Sequence, residues 1–273
     1  MRLRKETERQ MRDKLAASSI LMIQNLITGA VIAAALASSL AAQSKPVFSE
    51  NFESGKLDPA IWDVRTMGAA TVGVEPVEGA HGKYALHAHY PEMTRGAYAM
   101  AVATHLPDSL KTHVFGRAYM KITGTIPPSH NPLIITGEPG WQLSKFYEIG
   151  LSRGFWMPSF QENKSAAGQG RGEVTYRSEV PPPTDKWFLL EWEINDDPAS
   201  MTLWVDGQPV PNKMGTEPVE TVTYKWPKDS TTNSNLVGGF KEFGFGVRAW
   251  QNPMTGFDIY YDDIALGTSR IGK

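Results

Sequence analysis

Two adjacent carboxylates, Asp262 and Asp263, stand in the middle of an otherwise aromatic and branched stretch, Phe257-Asp-Ile-Tyr-Tyr-Asp-Asp-Ile-Ala-Leu266. Neighbours on a strand face opposite sides, so one of the pair turns to the packed side and needs a partner there. All six histidines precede residue 131. His87 and His89 share a strand face, and a His-x-His pair supplies two metal ligands. Two ligands do not make a site, so both are read as polar-face residues. His130 follows Pro127-Pro128 and precedes the apolar Leu133-Ile-Ile135. There it is either a turn residue or a group that exchanges protons near neutral pH. Arg117 and Arg248 fall on wet strand faces, where each either clamps a carboxylate or pairs with a surface glutamate. Glu191 and Glu193 share a face and are the residue types of paired-carboxylate hydrolysis. Glu191-Trp-Glu-Ile-Asn-Asp196 lacks a Glu-x-Asp-x-x-Glu spacing, however, and both glutamates read as solvated.

The elements that position these residues are short alternating segments separated by Gly, Pro, Asn and Asp clusters, the pattern of an all-β sandwich. Expected strands are Val47–Phe52, Tyr84–Tyr90, Tyr98–Thr104, His113–Ile122, Leu133–Thr136, Phe146–Ser152, Trp187–Ile194, Met201–Val205, Phe243–Trp250 and Phe257–Leu266. Asp206-Gly207 predicts a hairpin turn. In Val114–Ile122, Gly116, Ala118, Met120 and Ile122 share one face. Phe115, Arg117, Tyr119 and Lys121 share the other, which is either solvated or lines a groove. In Phe188–Ile194, Phe188, Leu190, Trp192 and Ile194 form the core side. Each sheet is therefore expected to have one dry and one wet face.

A chain of 273 residues with 41% apolar content can bury a sizeable core. The formal charge of −2 gives no electrostatic footprint for nucleic acid. The absence of cysteine excludes disulfides and thiolate metal sites. Arg2, Arg4, Lys5, Arg9, Arg12 and Lys14 precede an uncharged stretch containing the apolar run Ile20 to Leu36, followed by the small residues Ala37-Ser-Ser-Leu-Ala-Ala-Gln43. This reads as a signal peptide over 1–43, with Met11 as an alternative start, and predicts a secreted or periplasmic protein. Gln24 and Asn25 interrupt the run, which argues against a permanent membrane span. From 46 to 273 no second composition regime or repeat occurs, so one domain, expected to be monomeric, is predicted.

Phe48-Ser-Glu-Asn-Phe-Glu-Ser-Gly55 with Trp62, Ala80-His-Gly-Lys-Tyr-Ala-Leu86, Gly116-Arg-Ala-Tyr-Met120, Pro128-Ser-His-Asn131, Trp187-Phe-Leu-Leu-Glu-Trp192, Trp204-Val-Asp-Gly207 and Tyr261-Asp-Asp-Ile-Ala-Leu-Gly267 follow one another in order. Together they resemble the polysaccharide-lyase-like core domain of the fungal cellulose-induced protein and its bacterial relatives. That group is similar in fold to glucuronan and alginate lyases. The resemblance implies a concanavalin A-like β-jelly-roll sandwich of two antiparallel sheets. It also implies a structural calcium ion between the first and last strands, held by Glu53, by Asp262 or Asp263, and by carbonyls of the His81 to Tyr84 loop. Asp263 is the favoured carboxylate of the two. Calcium takes about six to eight oxygen ligands. The other reading of the two aspartates is a solvated edge and a hydrogen-bonded core carboxylate.

The implied activity is β-elimination on a uronate-containing polysaccharide. Such a reaction needs a base at C5, an acid for the leaving oxygen, and a group that neutralises the sugar carboxylate. On a concave sheet, His130, Arg117, Glu148, Tyr147 and Arg248 are the candidates, with Tyr119, Lys121, Trp250 and Trp156 as substrate contacts. Lys145-Phe-Tyr-Glu-Ile-Gly150 departs from the family pattern, which places basic residues where Phe146 and Glu148 stand. An acidic Glu148 repels an anionic sugar unless Arg117 or Arg248 pairs with it. Strict alternation sends Tyr147 to the core beside Ile149. The alternative is a non-catalytic carbohydrate-binding module that stacks sugars on Trp250, Tyr119 and Trp156 and needs no base. The segment Gln161–Gly172 is a candidate groove cover.

Overall fold

The computed structural model describes residues 45–91, 97–140, 145–163, 171–175, 177–211, 213–214, 217–218, 223–225, 236, 238–249 and 256–272. The signal-peptide segment and Trp250 lie outside them. In chain order the strands are β1 Phe48–Glu50, β2 Trp62–Met67, β3 Thr71–Pro76, β4 Tyr84–Tyr90, β5 Tyr98–Ala103, β6 His113–Gly124, β7 Asn131–Gly137, β8 Lys145–Ser152 and β9 Phe155–Asn163. They continue with β10 Arg171–Thr175, β11 Trp187–Asp196, β12 Ala199–Val205, β13 Gln208–Pro209, β14 Lys213–Met214, β15 Glu217–Pro218, β16 Thr223–Lys225, β17 Glu242–Arg248 and β18 Phe257–Gly267. A nine-stranded sheet runs β13-β12-β11-β6-β18-β4-β3, with β1 against β18 and β16 against β12. A seven-stranded sheet runs β10-β9-β8-β7-β17-β5-β2. Neighbours within both sheets are antiparallel, and the architecture is the expected jelly-roll sandwich.

Alternation decides which side chains meet between the sheets. Phe188, Leu190, Trp192 and Ile194 of β11 and Ala118, Met120 and Ile122 of β6 enter the core from one sheet. Tyr147, Ile149, Phe160, Phe243 and Phe245 enter from the other. Trp192 reaches Phe243 and Phe245 with ring centroids 6.4 and 6.2 Å apart. Burying each such side chain contributes about 1.5–3 kcal/mol. Gly116 lies beneath the Trp192 indole, where a Cβ would overlap the ring. Tyr261 Oη of β18 lies 2.9 Å from Leu133 O and 2.7 Å from Gly246 O, tying the last strand to the opposite sheet. The Asp206-Gly207 turn has φ of 51° and 81°, the left-handed pair that a two-residue hairpin of this kind needs.

Seven strands, β2, β3, β9, β10, β14, β15 and β16, were not expected. β2 and β3 flank Gly68, and β9 carries Pro158 in its middle. β10 pairs with β9 only from Ser159 onward, so Pro158 sits where that ladder has ended. Gln161 to Asn163 and Arg171 to Gly172, expected in a groove-covering segment, are paired ends of the β9 and β10 strands instead.

Candidate functional site

On β8, Tyr147, Ile149 and Leu151 point into the core, which turns Glu148 to the outer face of the seven-stranded sheet. Glu148 is nonetheless fully buried. Ser159, its register partner on β9, donates from Oγ to Glu148 Oε2 at 2.9 Å, and Gln161 donates to the same oxygen from Nε2. His130 Nε2 lies 3.2 Å from that oxygen. The position of His130 is set by its neighbour. The buried Asn131 amide donates to Ser129 O at 2.8 Å and to Pro127 O at 3.3 Å, folding the Pro127 to Asn131 turn back on itself at the start of β7.

Arg248 closes β17 beside this cluster. It is 6% exposed, and its guanidinium lies 5.7 Å from the ring centroid of Tyr98, its register partner on β5. Burial pushes the Glu148 carboxyl up, but the contact and charge of His130, the charge of Arg248 and the Ser159 hydrogen bond outweigh it. The net result lies below the usual carboxylate range, so the buried group is an anion. Glu148 Oε1 and Gln161 Oε1 are buried with no hydrogen-bond partner in the described structure. Met100, Val102, Ile135 and Phe146 make a small apolar cluster against Tyr98 on the same sheet.

The expected cluster is therefore only partly assembled. His130, Glu148 and Arg248 come together, whereas Arg117, Tyr119 and Lys121 lie on β6 of the other sheet. Arg117 donates to Gly272 O at 2.7 Å and lines a pocket of about 360 Å³ with Ser49, Glu50, Asn51 and Asp263. It does not serve Glu148. The Tyr119 ring lies 3.6 Å from that of His81, and Lys121 Nζ sits 5.8 Å over the Tyr260 ring. Tyr147 is a core residue whose hydroxyl donates to Asp196 at 2.7 Å, and burial pushes that phenol well up, so it is not a base. Trp156 is wholly buried edge-on to Phe188 at 6.1 Å, which removes it as a stacking platform. Glu191 and Glu193 do not act as a pair. Glu191 is held by Arg270 at 3.0 and 2.8 Å, and Glu193 contacts His113 at 2.8 Å. Ser159 and Tyr98 were not expected at the site, and Gln161 was expected only in a groove cover. Ser159 and Gln161 sit on β9, whose Pro158 obscures the strand pattern.

The implied calcium ligands are redistributed around one bulge. Between Asp262 and Ala265 the register of β18 against β6 slips by a residue, and Asp263 takes φ of 46°. Asp262, 1% exposed, turns to the loop and accepts from His81 N at 2.8 Å. Asp263 faces outward to His81 Nδ1 at 2.8 Å. Glu53 accepts from Lys83 N and Tyr84 N at 2.8 and 3.0 Å, and its carboxylate fills the space a Cβ on Gly82 would take. Two carboxylates from distant segments thus grip the same loop. That hard-oxygen pair suits calcium, with Asp262 rather than Asp263 as the inward group. Burial pushes the Asp262 carboxyl up, as does the neighbouring Asp263 charge, against the amide hydrogen bonds that lower it.

Among solved structures the fold matches "Cellulose induced protein, Cip1", with a TM-score of 0.59 and 17% identity over 83% of this chain and 99% of that one. Botulinum neurotoxin binding domains of serotypes G and C1 align with TM-scores of 0.46 each, at 8% and 11% identity over 84% and 81% of this chain. The chain spans about half of those domains, 49% and 50%. No family model and no curated protein sequence matches. The likeness to Cip1 is one of fold: this chain has a β-sandwich jelly roll of that kind.

Proposed function

We propose that this protein binds a polysaccharide on the outer face of its seven-stranded sheet and cleaves it by β-elimination at a uronate residue. The observation that supports this reading is the contact between His130 and the buried, ionised Glu148, with Arg248 beside them. His130 is the base of this reading, and Glu148 beside it stabilises the imidazolium formed when it takes a proton. In the proposed step the His130 imidazole removes the C5 proton. The C5–H electron pair becomes the C4–C5 double bond, and the C4–O bond breaks. The departing oxygen is protonated by water. Arg248 opposes the charge that builds on the sugar carboxylate. Glu148 then ceases to be an obstacle to an anionic sugar, because its charge is compensated within the protein.

A second reading, a glycan-binding module without chemistry, is favoured by the burial of Glu148 and Arg248, which leaves little of either charge open to an anionic sugar. In either case we propose export by the N-terminal segment and a calcium ion at Glu53 and Asp262 as a staple between first and last strands.

The test is ultraviolet absorbance of the unsaturated product on glucuronan, alginate and pectate, with His130→Ala alongside. A rise that the variant abolishes supports elimination with His130 as base. A rise the variant retains removes His130 from the mechanism. No rise, with retardation on one of these glycans in affinity gels, establishes the binding module.

A further inference from the structure

On the outer face of the other sheet, three side chains from two neighbouring strands converge. His87 and His89 project from β4 and Asp258 from β18, where Asp258 is the register partner of His89. His87 Nε2 lies 2.8 Å and His89 Nδ1 2.6 Å from the same oxygen, Asp258 Oδ1. Their side chains are 17%, 44% and 28% exposed, open enough for an ion to enter. Behind them, His87 Nδ1 lies 2.7 Å from Glu75 Oε1 of β3, and the His87 ring is stacked on Tyr260 at 4.4 Å with the planes 11° apart.

Both ring nitrogens of His87 therefore face carboxylate oxygens. A neutral imidazole carries one N–H and can donate to only one of them. Without a metal, satisfying both contacts takes one more proton than the neutral ring carries. With a cation on Nε2, the neutral ring donates its Nδ1–H to Glu75, the carboxylate–histidine–metal relay that orients a ligand and raises its basicity. The aromatic stack on Tyr260 holds the plane of that ring.

We propose that His87, His89 and Asp258 bind a divalent transition-metal ion of the zinc class, with Glu75 as the outer carboxylate that positions His87. The three ligand atoms already lie within 4.8 Å of one another. A tetrahedral ion with bonds of about 2.0–2.2 Å sets its ligand atoms about 3.3–3.6 Å apart, so Asp258 Oδ1 draws back from the two nitrogens by roughly 0.5–1 Å to receive it. Two imidazoles select against calcium and magnesium, which take oxygen. Three protein ligands leave a fourth position for water. This site lies on the opposite sheet from Glu148 and stands independently of the proposed activity.

The experiment is cobalt(II) and zinc titration of the full chain without an affinity tag, after chelation, in calcium-containing buffer. Visible d–d absorption reports cobalt, and calorimetry reports zinc. One equivalent bound per chain, with affinity falling at least tenfold in both His89→Ala and Asp258→Asn and roughly tenfold in Glu75→Gln, supports the site. Circular dichroism confirms that each variant is folded, and the near-isosteric Asp258→Asn decides the matter if His89→Ala is not. No stoichiometric binding by the parent protein, or binding unchanged in Asp258→Asn, overturns it and leaves a histidine–carboxylate hydrogen-bond network.

Discussion

Glu148 Oε2 lies 3.2 Å from His130 Nε2, and the glutamate side chain is entirely buried while the histidine is 15% exposed. A charge so placed holds its stability in its partners. Glu148→Gln removes the anion and leaves the cationic side of the cluster uncompensated, a change worth about 3 kcal/mol of destabilisation. The pH dependence has a definite sign. The folded carboxyl is depressed below 4.5, so its contribution is fully present above that value and is lost as pH falls through the depressed one. Chemical denaturation from neutral to acid pH is expected to show the parent losing this increment below pH 4.5, with a flatter profile for Glu148→Gln over the same range. Parallel profiles would remove the charge from Glu148.

Trp156 and His130 separate packing from function. Trp156→Ala empties a core position and is expected to cost about 3–5 kcal/mol in denaturant melts, with glycan retention per folded molecule unchanged. His130→Ala is expected to lose activity or retention with a far smaller stability change. If Trp156→Ala weakened retention in the folded fraction, the tryptophan would belong to the binding surface after all.

Periodicity was a reliable guide to faces and a poor guide to partners. The outward set Arg117, Tyr119 and Lys121 was legible because side chains alternate along β6. That β6 joins the sheet opposite β8 depends on strand order, which no local pattern encodes, so Arg117 and Arg248 were placed together though they occupy different sheets. Trp156, Pro158 and Phe160 alternate inward, but the proline broke the pattern and hid Ser159 and Gln161 with it. The aspartate pair shows the same limit. Alternation demands one inward carboxylate, and the bulge at Asp263 determines that it is Asp262. His87 and His89 lacked a third ligand only because Asp258 arrives across the β4–β18 register, about 170 residues along the chain.

Arg270 lies 4.2 Å over the Trp204 ring and holds Glu191, whose side chain is 4% exposed, with two hydrogen bonds. The arginine itself is 42% exposed, so water screens part of the attraction. Arg270→Ala is expected to cost about 2 kcal/mol, mostly from leaving a buried carboxylate unpaired. The double variant Glu191→Met, Arg270→Met should recover most of that loss in a thermal melt. A cycle with no coupling would show that the pair contributes nothing.

The calcium proposal is decided by which aspartate matters. Asp262 and Glu53 both grip the His81 to Tyr84 loop, and burial together with the Asp263 charge makes the Asp262 anion costly. A divalent cation between these carboxylates would offset that cost. An ion at 100 times its Kd stabilises the folded state by about 2.7 kcal/mol. Chelation is therefore expected to lower Tm, and calcium alone, without zinc, to restore it. Asp262→Asn and Glu53→Gln should abolish the calcium-dependent shift. Asp263→Asn should keep it, because Asp263 faces the His81 ring on the outside of the bulge. A Tm indifferent to chelation would mean that the loop is held by amide hydrogen bonds to the two carboxylates alone.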